Sequence, residues 1–428
     1  MAHRVEGKYA SLGTKAGWSV LFLVIFLLGR NLPLPLMHVA STAGAAGGSG
    51  ATDGLNQAVN VATGGNFFQP TLFSLGLGPY MAANILWRLF AIDRFIRGRN
   101  IPQRTESVLR YSVMAVIAVF QAINLSGNFE IDSVNFGPFA PHTTGKIIAV
   151  AMLLAGAALL TWIANVNQDR GLGGITIFIL YQILLTAVSN RDSFLQNLHS
   201  PDAARVLIPV GVACLIVIAM GVFLGNSEYR MKVNKVSIDN GFTGQSYLPI
   251  KLNPAGASPI MYAMALLSLP QTIIGAFAII IPSFAPTAHS LLNNWGLSTL
   301  PGFLTYLVLL FAMSVFWGLM NVRPHKLAEQ MQDAGEYLDS VAPGKETRRH
   351  IRNRVLVLAS LTGVGLIVLT GLPLYFMAGN PQFQYELMMP GTLMILIALM
   401  WVVYEEIADT AIGRKYRFEL LSTTGGAK

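Results

Sequence analysis

Charge is scarce in this chain. Asp, Glu, Lys and Arg make up 12% of its 428 residues, against 53% apolar residues. A water-soluble chain of this length needs far more charge to keep its surface wet, which excludes an ordinary soluble enzyme or binding domain. Cysteine is scarcer still. Cys214 stands alone inside an apolar run, so an intrachain disulfide and a multi-cysteine metal site are both excluded, and it reads as a small buried hydrophobe. Catalytic signatures are missing too: there is no G-x-x-x-x-G-K-[ST] loop, no H-E-x-x-H pair, and the seven histidines are scattered. Gly171-Leu172-Gly173-Gly174 is glycine-rich, but it opens an apolar run and makes a poor phosphate cradle. No cofactor or metal motif emerges, and nothing marks the chain as an enzyme.

What is present is length of apolar sequence. Ten stretches, approximately 16–34, 68–92, 107–126, 146–166, 173–190, 204–224, 256–284, 300–321, 351–377 and 389–408, are each long enough to cross a membrane as a helix. The segments between them sort by charge. Of the 29 Lys and Arg residues, only Arg30, Lys146, Arg191 and Arg205 fall on the side of the odd-numbered loops. Short basic loops stay in the cytoplasm, which predicts an even number of crossings with both termini inside. The net charge of +8 then reflects orientation against membrane lipid, and a nucleic-acid partner is not needed to explain it. The N-terminus MAHRVEGKYASLGTKAG is basic and lacks an A-x-A-type cleavage site, the pattern of a retained leader.

The stretches divide five and five at SNRDSFLQNLHSPD, which sets an N-terminal half at 1–190 and a C-terminal half at 191–428. Inverted repeats are common in transport proteins, although no internal sequence identity is visible here. Three connecting segments exceed simple turns. Residues 37–67 are Gly-rich and nearly uncharged, either an outer loop or a short re-entrant segment. Residues 225–255 alternate Val, Ile and Tyr with polar residues, which predicts a β-hairpin turning near Asn240-Gly241. Residues 322–350 predict a charged helix-turn-helix-like excursion punctuated by Pro343-Gly344. Two folded projections on the basic side suggest that a cytosolic partner docks there.

Inside the apolar stretches ionisable residues are nearly absent. Arg88, Glu405 and Glu406 lie towards cytosolic ends, where side chains reach water. Coupled transporters need intramembrane charge, so its absence counts against a secondary solute transporter. A membrane-bound enzyme would need polar groups converging at one face, and none do. A conduit powered from elsewhere needs neither.

Four runs carry a specific resemblance. FFQPTLFSLGLGPYMAANIL (67–86) looks like the second membrane helix of SecY/Sec61α-type protein-conducting channels. SYLPIKLNPAGASPIMYAMALLSLPQ (246–271) resembles the end of their cytosolic hairpin and seventh helix. PGKETRRHIRNRVLVLASLTG (343–363) and PGTLMILIALMWVVYEE (390–406) resemble the ninth and tenth helices. The runs occur in the family's order and at its spacing. The resemblance implies an all-α polytopic membrane protein, ten transmembrane helices in two pseudo-symmetric five-helix halves around a central pore. The hairpin wording is closer to the accessory (second) SecY of Gram-positive bacteria. The hairpin lacks a second basic cluster, and Ala342 stands where the family commonly has Arg before Pro-Gly. Both departures fit a dedicated partner better than the housekeeping SecA.

Site residues follow from the resemblance alone. It implies an apolar pore ring at Leu77, Met81, Ile175, Ile179, Met261 and Leu396. Such a ring sheds water and blocks ions while it closes around a moving chain. A plug is implied at about 52–66, and a lateral gate near Asn84, Gln121 and Asn253. Arg230, Lys232, Lys235, Lys251, Lys345, Arg348 and Arg349 are implied to dock an accessory SecA-type ATPase. Taken alone, each residue has a plainer reading as helix packing, local hydrogen bonding or positive-inside charge. The implied function is export of unfolded polypeptide, with serine-rich glycosylated adhesins as cargo, across the bacterial plasma membrane. Small SecE/SecG-like subunits and accessory Sec proteins are the further partners implied. The alternatives are a general secretory SecY and, from another class, a solute transporter.

Overall fold

The structure is a computed structural model and describes residues 12–38, 69–92, 103–127, 129–132, 141–199, 203–235, 246–256, 258–295, 297, 299–339, 341–375 and 383–424. The candidate plug and the expected hairpin turn at Asn240-Gly241 lie outside these residues.

In chain order the elements are α1 (Leu12–Asn31), β1 (Met37–His38), α2 (Gly78–Ile92), α3 (Gln103–Ser126), β2 (Glu130–Ile131), α4 (Pro141–Arg170), α5 (Thr176–Ser189) and α6 (Arg191–Leu198). There follow α7 (Ala203–Asn226), β3 (Glu228–Lys235), β4 (Ser246–Lys251), α8 (Ser258–Ile280), α9 (Ala285–Asn294), α10 (Leu300–Val322) and α11 (Pro324–Asp333). The last are β5 (Glu336–Leu338), α12 (Lys345–Leu366), a π-helical turn (Ile367–Gly371), α13 (Leu372–Tyr375) and α14 (Gln384–Thr424).

Among the described residues, eight helices are long and apolar enough to cross a membrane. The other two apolar stretches of the sequence fall on the shorter α2 and α5. These helices bury a stripe and expose the rest. On α1 the buried positions are Ser19, Phe22, Phe26 and Gly29, a spacing that keeps them on one face, while Leu28 is 68% exposed. On α7 the exposed residues include Ile208, Val212, Leu215 and Phe223. Apolar faces of this kind suit lipid, which solvates Leu as well as another helix does.

Two units are distinct: residues 1–192, 264–296 and 399–428 form one, and 193–263 and 297–398 the other, so α6, α8 and α14 contribute to both. In the first unit the second apolar stretch departs from the expected continuous helix. Residues 69–77 form irregular turns, and only Gly78 onward is helical. Small residues on the neighbouring helices make room for this backbone. A Cβ at Gly156 of α4 would stand 1.8 Å from the Leu72 carbonyl oxygen, and one at Gly29 would stand 2.1 Å from the Phe73 ring. Phe26 stacks on Phe73 at 5.9 Å and meets Phe178 edge-on at 5.6 Å. The flanks of the candidate plug are hydrogen-bonded together, Leu34 N–H to Pro70 O at 2.9 Å and Leu72 N–H to Leu32 O at 3.2 Å. Beside them β1 and β2 pair antiparallel, Met37 opposite Ile131.

The second unit joins what the sequence presented as two separate excursions. β3 and β4 form the expected hairpin, with Arg230 opposite Pro249 and Lys232 opposite Tyr247. The 322–350 segment is not simply helix-turn-helix: after α11 it contributes β5, which pairs with the far edge of β3 to give the order β4-β3-β5. Three residues are too few to show strand periodicity in a sequence, and tertiary packing decides their state. Met231, Val233, Ile250, Met331, Leu338, Ile351 and Val355 make one core beneath the sheet. Behind it α10 and α12 approach closely at Gly318 and Gly363, and Ser314 Oγ donates to Ala359 O at 2.9 Å.

Candidate functional site

The irregular segment before α2 sets the first pair of ring candidates. Ser74 is fully buried and acts as its hub, donating to Gln69 O at 2.6 Å and accepting from Thr71 N–H at 2.7 Å. Gly76 turns the chain at φ 57°, a conformation that favours glycine. Leu77 and Met81 follow one helical turn apart, joined by Met81 N–H donating to Leu77 O at 2.9 Å. Both side chains are buried.

Ile175 caps the start of α5 and is half-buried, and Ile179, one turn further, is buried. These four belong to the first unit. In the second unit Met261 is buried on the first turn of α8, and Leu396 is half-buried on α14. Every ring candidate therefore carries an apolar side chain that is at least half-buried.

A seam suited to a lateral gate is built inside the first unit. Tyr80, Ala82 and Ala83 of α2, Met114 and Ile117 of α3, and Leu269 of α8 form one buried cluster. Phe120 of α3 meets Phe277 of α8 at 5.9 Å, and Trp87 Nε1 donates to Glu106 Oε1 at 2.9 Å between α2 and α3. The three polar gate candidates are placed differently from one another. Gln121 is buried on α3, and its Oε1 has no hydrogen-bond partner among the described residues. Asn84 is half-buried on α2. Asn253 lies in the second unit and closes a local turn, accepting from Gly256 N–H at 2.9 Å and donating to Gly256 O at 3.2 Å.

Sequence reasoning missed other seam residues. Asn124 of α3 lies against Gly275 of α8, and Ile279 lies against Gly127. Arg110, grouped in the sequence with the cytosolic cations, is half-buried on α3 with its guanidinium 5.9 Å from the Tyr80 ring and 5.4 Å from the Tyr111 ring. Tyr80 OH donates to Asn165 Oδ1 at 3.4 Å, and Asn165 Nδ2 donates to Tyr111 OH at 3.2 Å. An arginine inside an apolar stretch was the available signal.

On the sheet, alternation turns Met231 and Val233 into the core and leaves Arg230 and Lys232 exposed. Arg230 lies 4.6 Å over the Tyr247 ring and 3.7 Å from Glu228. Lys251 is exposed at the end of β4, and Lys235 ends β3. Lys345, Arg348 and Arg349 are exposed on the first turns of α12, which packs under the same sheet. Cations from both excursions are thus carried on one folded body.

The sequence matches the SecY family over residues 71–404. The chain belongs to the SecY family. It is 30% identical over 407 residues to the accessory Sec system protein translocase subunit SecY2 of Streptococcus sanguinis (strain SK36), covering 94% of this chain and 96% of that one. The protein of the same name from Leuconostoc gelidum subsp. gasicomitatum is 29% identical over 395 residues, covering 91% and 92%. Among solved structures, a protein-conducting channel superposes with a TM-score of 0.66 at 14% identity, covering 94% of this chain and 93% of that one. Sec61 from a canine ribosome–channel complex gives 0.59 at 15% identity, with the same coverage of 94% and 93%. This SecY-family chain is therefore a multi-pass, mostly helical membrane protein with the channel fold, and it serves protein translocation as a channel subunit.

Proposed function

We propose that this chain is the central channel subunit of an accessory Sec translocase in a bacterial plasma membrane, with both termini cytoplasmic. It exports unfolded polypeptide, and its cargo class is the serine-rich glycosylated surface adhesin. Residues 1–190 and 191–428 are its two five-helix halves. The observation that carries the accessory assignment is likeness along almost the whole chain to proteins named as accessory Sec subunits. Ala342 before Pro343-Gly344 supports the same reading, because a departure there suits a dedicated ATPase.

In this reading Leu77, Met81, Ile175, Ile179, Met261 and Leu396 line the closed constriction. Unbranched Met side chains adapt to varied cargo, and the aliphatic ones keep the resting pore dry. Asn84, Gln121 and Asn253 mark the gate, where polar side chains can bond across the seam at ~0.6 kcal/mol per contact and so latch it without locking it. The basic face of the β4-β3-β5 sheet and the start of α12 dock a SecA-type ATPase that supplies the driving force. Small SecE- and SecG-like subunits complete the assembly.

Site-specific crosslinking of a stalled substrate tests this function. With Cys214 replaced by Ser, single cysteines at Leu77 or Met261 are challenged with an adhesin fragment or an ordinary preprotein. Each is run with the accessory and the housekeeping ATPase. Adducts from the adhesin alone, and only with the accessory ATPase, are expected. Adducts from both cargoes would identify a general secretory channel instead. No adduct from either, with both ATPases active, would remove the ring assignment.

A further inference from the structure

The connection between α4 and α5 is held by side chains from three helices. Leu172 N–H donates to Ser19 Oγ of α1 at 2.6 Å, and Ser19 Oγ lies 3.0 Å from Asn167 Oδ1 of α4. Asn167 Nδ2 donates to Gly174 O at 2.9 Å and to Leu172 O at 3.2 Å. Gly173 N–H donates to Glu406 Oε2 of α14 at 2.8 Å. Ser19 and Asn167 are both buried, so a polar cluster of this size within an apolar bundle is stable only because its members satisfy one another.

The glycines are there for geometry. Gly173 and Gly174 turn the chain at φ 70° and 46°, and a Cβ at Gly171 would stand 1.9 Å from Asn167 Oδ1. Glu406 adds a charge in the right place. A carboxylate beside the N-terminal end of α5 meets a free N–H and the positive end of the helix dipole. Its role is thus more than snorkelling towards water.

The next residue after this turn is Ile175, and Ile179 follows one helical turn later. We propose that Glu406, with Ser19 and Asn167, positions the constriction: by fixing the 171–174 turn these residues set where α5 presents Ile175 and Ile179. The inference rests on the assignment of those two isoleucines to the pore ring. Glu406 is the informative member, because it is half-buried and reaches the turn from the last helix. Glu406→Ala removes the acceptor, whereas Glu406→Gln keeps one.

The test uses the full chain in proteoliposomes, without ATPase or cargo, and reads resting halide leak. A second reading is the thiol-labelling rate of a single cysteine at Ile179 or at Leu153, both in a Cys214→Ser background. Leu153 is fully buried on α4 and away from the turn, so it reports general loosening. The expected result has four parts: Ile179→Ser leaks, Glu406→Ala leaks severalfold above wild type, Glu406→Gln returns near wild type, and labelling rises at Ile179 but not at Leu153. If Ile179→Ser leaks while Glu406→Ala and Ser19→Ala stay tight, the positioning role is overturned and the ring stands. Equal rises in labelling at Ile179 and Leu153 also overturn it, because Glu406 then supports only the fold. If Ile179→Ser itself stays tight, the ring assignment fails and takes this proposal with it.

Discussion

The side-chain amide of Asn124 occupies the space in front of Gly275: a Cβ on that glycine would stand 2.5 Å from Asn124 Oδ1. The two residues lie on α3 and α8, the helices that meet at the candidate gate seam. With glycine here the Asn124 amide keeps its place between the helices, and a larger side chain would have to displace it. Replacing Gly275 with a branched residue should therefore wedge the seam. In Gly275→Val, crosslinking between cysteines placed at Phe120 and Phe277, whose rings are now 5.9 Å apart, is expected to fall severalfold. Unchanged crosslinking would show that the seam absorbs the added volume elsewhere.

Gly156 and Gly211 make a matched pair for a second prediction. The first leaves 1.8 Å to the Leu72 carbonyl oxygen for a Cβ, while the second has nothing within 4 Å. Overpacking a tight contact costs ~1–3 kcal/mol, and a backbone oxygen cannot swing aside as a side chain does. Gly156→Ala is expected to lower the melting temperature of the detergent-solubilised protein. Gly211→Ala on the open face of α7 is expected to hold or raise it, since alanine favours helix by up to ~1 kcal/mol.

Apolar length made the architecture legible, because membrane crossing is a physical requirement that leaves a pattern twenty residues long. The hairpin was legible from alternation between Glu228 and Lys251. The break at 69–77 was not, because its backbone is satisfied by Ser74 and sheltered by Gly29 and Gly156, residues far apart in sequence. β5 was hidden for the same reason, since its pairing with β3 is a long-range event. The ring candidates came from resemblance alone, because an apolar residue in an apolar helix carries no local mark. Ser19 and Glu406 did carry one, as polar residues in apolar stretches, but their common target at 171–174 needed three dimensions.

Glu386 illustrates a different limit. It stands just ahead of the last apolar stretch, and it is 1% exposed. Its Oε1 accepts from Asn197 Nδ2 at 2.9 Å, and its Oε2 has no hydrogen-bond partner among the described residues. Removing the donor from a buried carboxyl group costs ~1–3 kcal/mol. Asn197→Ala should accordingly destabilise the protein more than Asn226→Ala, whose amide is exposed and bonds to its own helix at Val222 O, 3.1 Å away. Thermal unfolding of the two variants side by side checks this, and equal melting temperatures would count against a stabilising role for the Asn197–Glu386 bond.

The joined sheet makes a prediction about docking that two independent loops would not. Leu338 is 3% exposed and seals β5 against β3, opposite Val233. Truncating a residue so buried costs ~2–5 kcal/mol of local packing. In Leu338→Ala the hairpin should lose protection and be cut faster by trypsin at Lys232 and Arg230, although neither cation is itself changed. Binding of the proposed partner, an accessory SecA-type ATPase, to proteoliposomes should weaken as well. The charge-reversal variant Arg230→Glu, Lys232→Glu should weaken the same binding while trypsin protection at Lys251 is retained, and the loss should be greatest at low salt. Exposed interfacial charges act through long-range attraction that salt screens, whereas the packing defect in Leu338→Ala is nearly indifferent to it. Measuring ATPase binding across a salt series therefore separates the two effects. A charge-reversal variant that binds like wild type at every salt concentration would move the proposed docking site off this face.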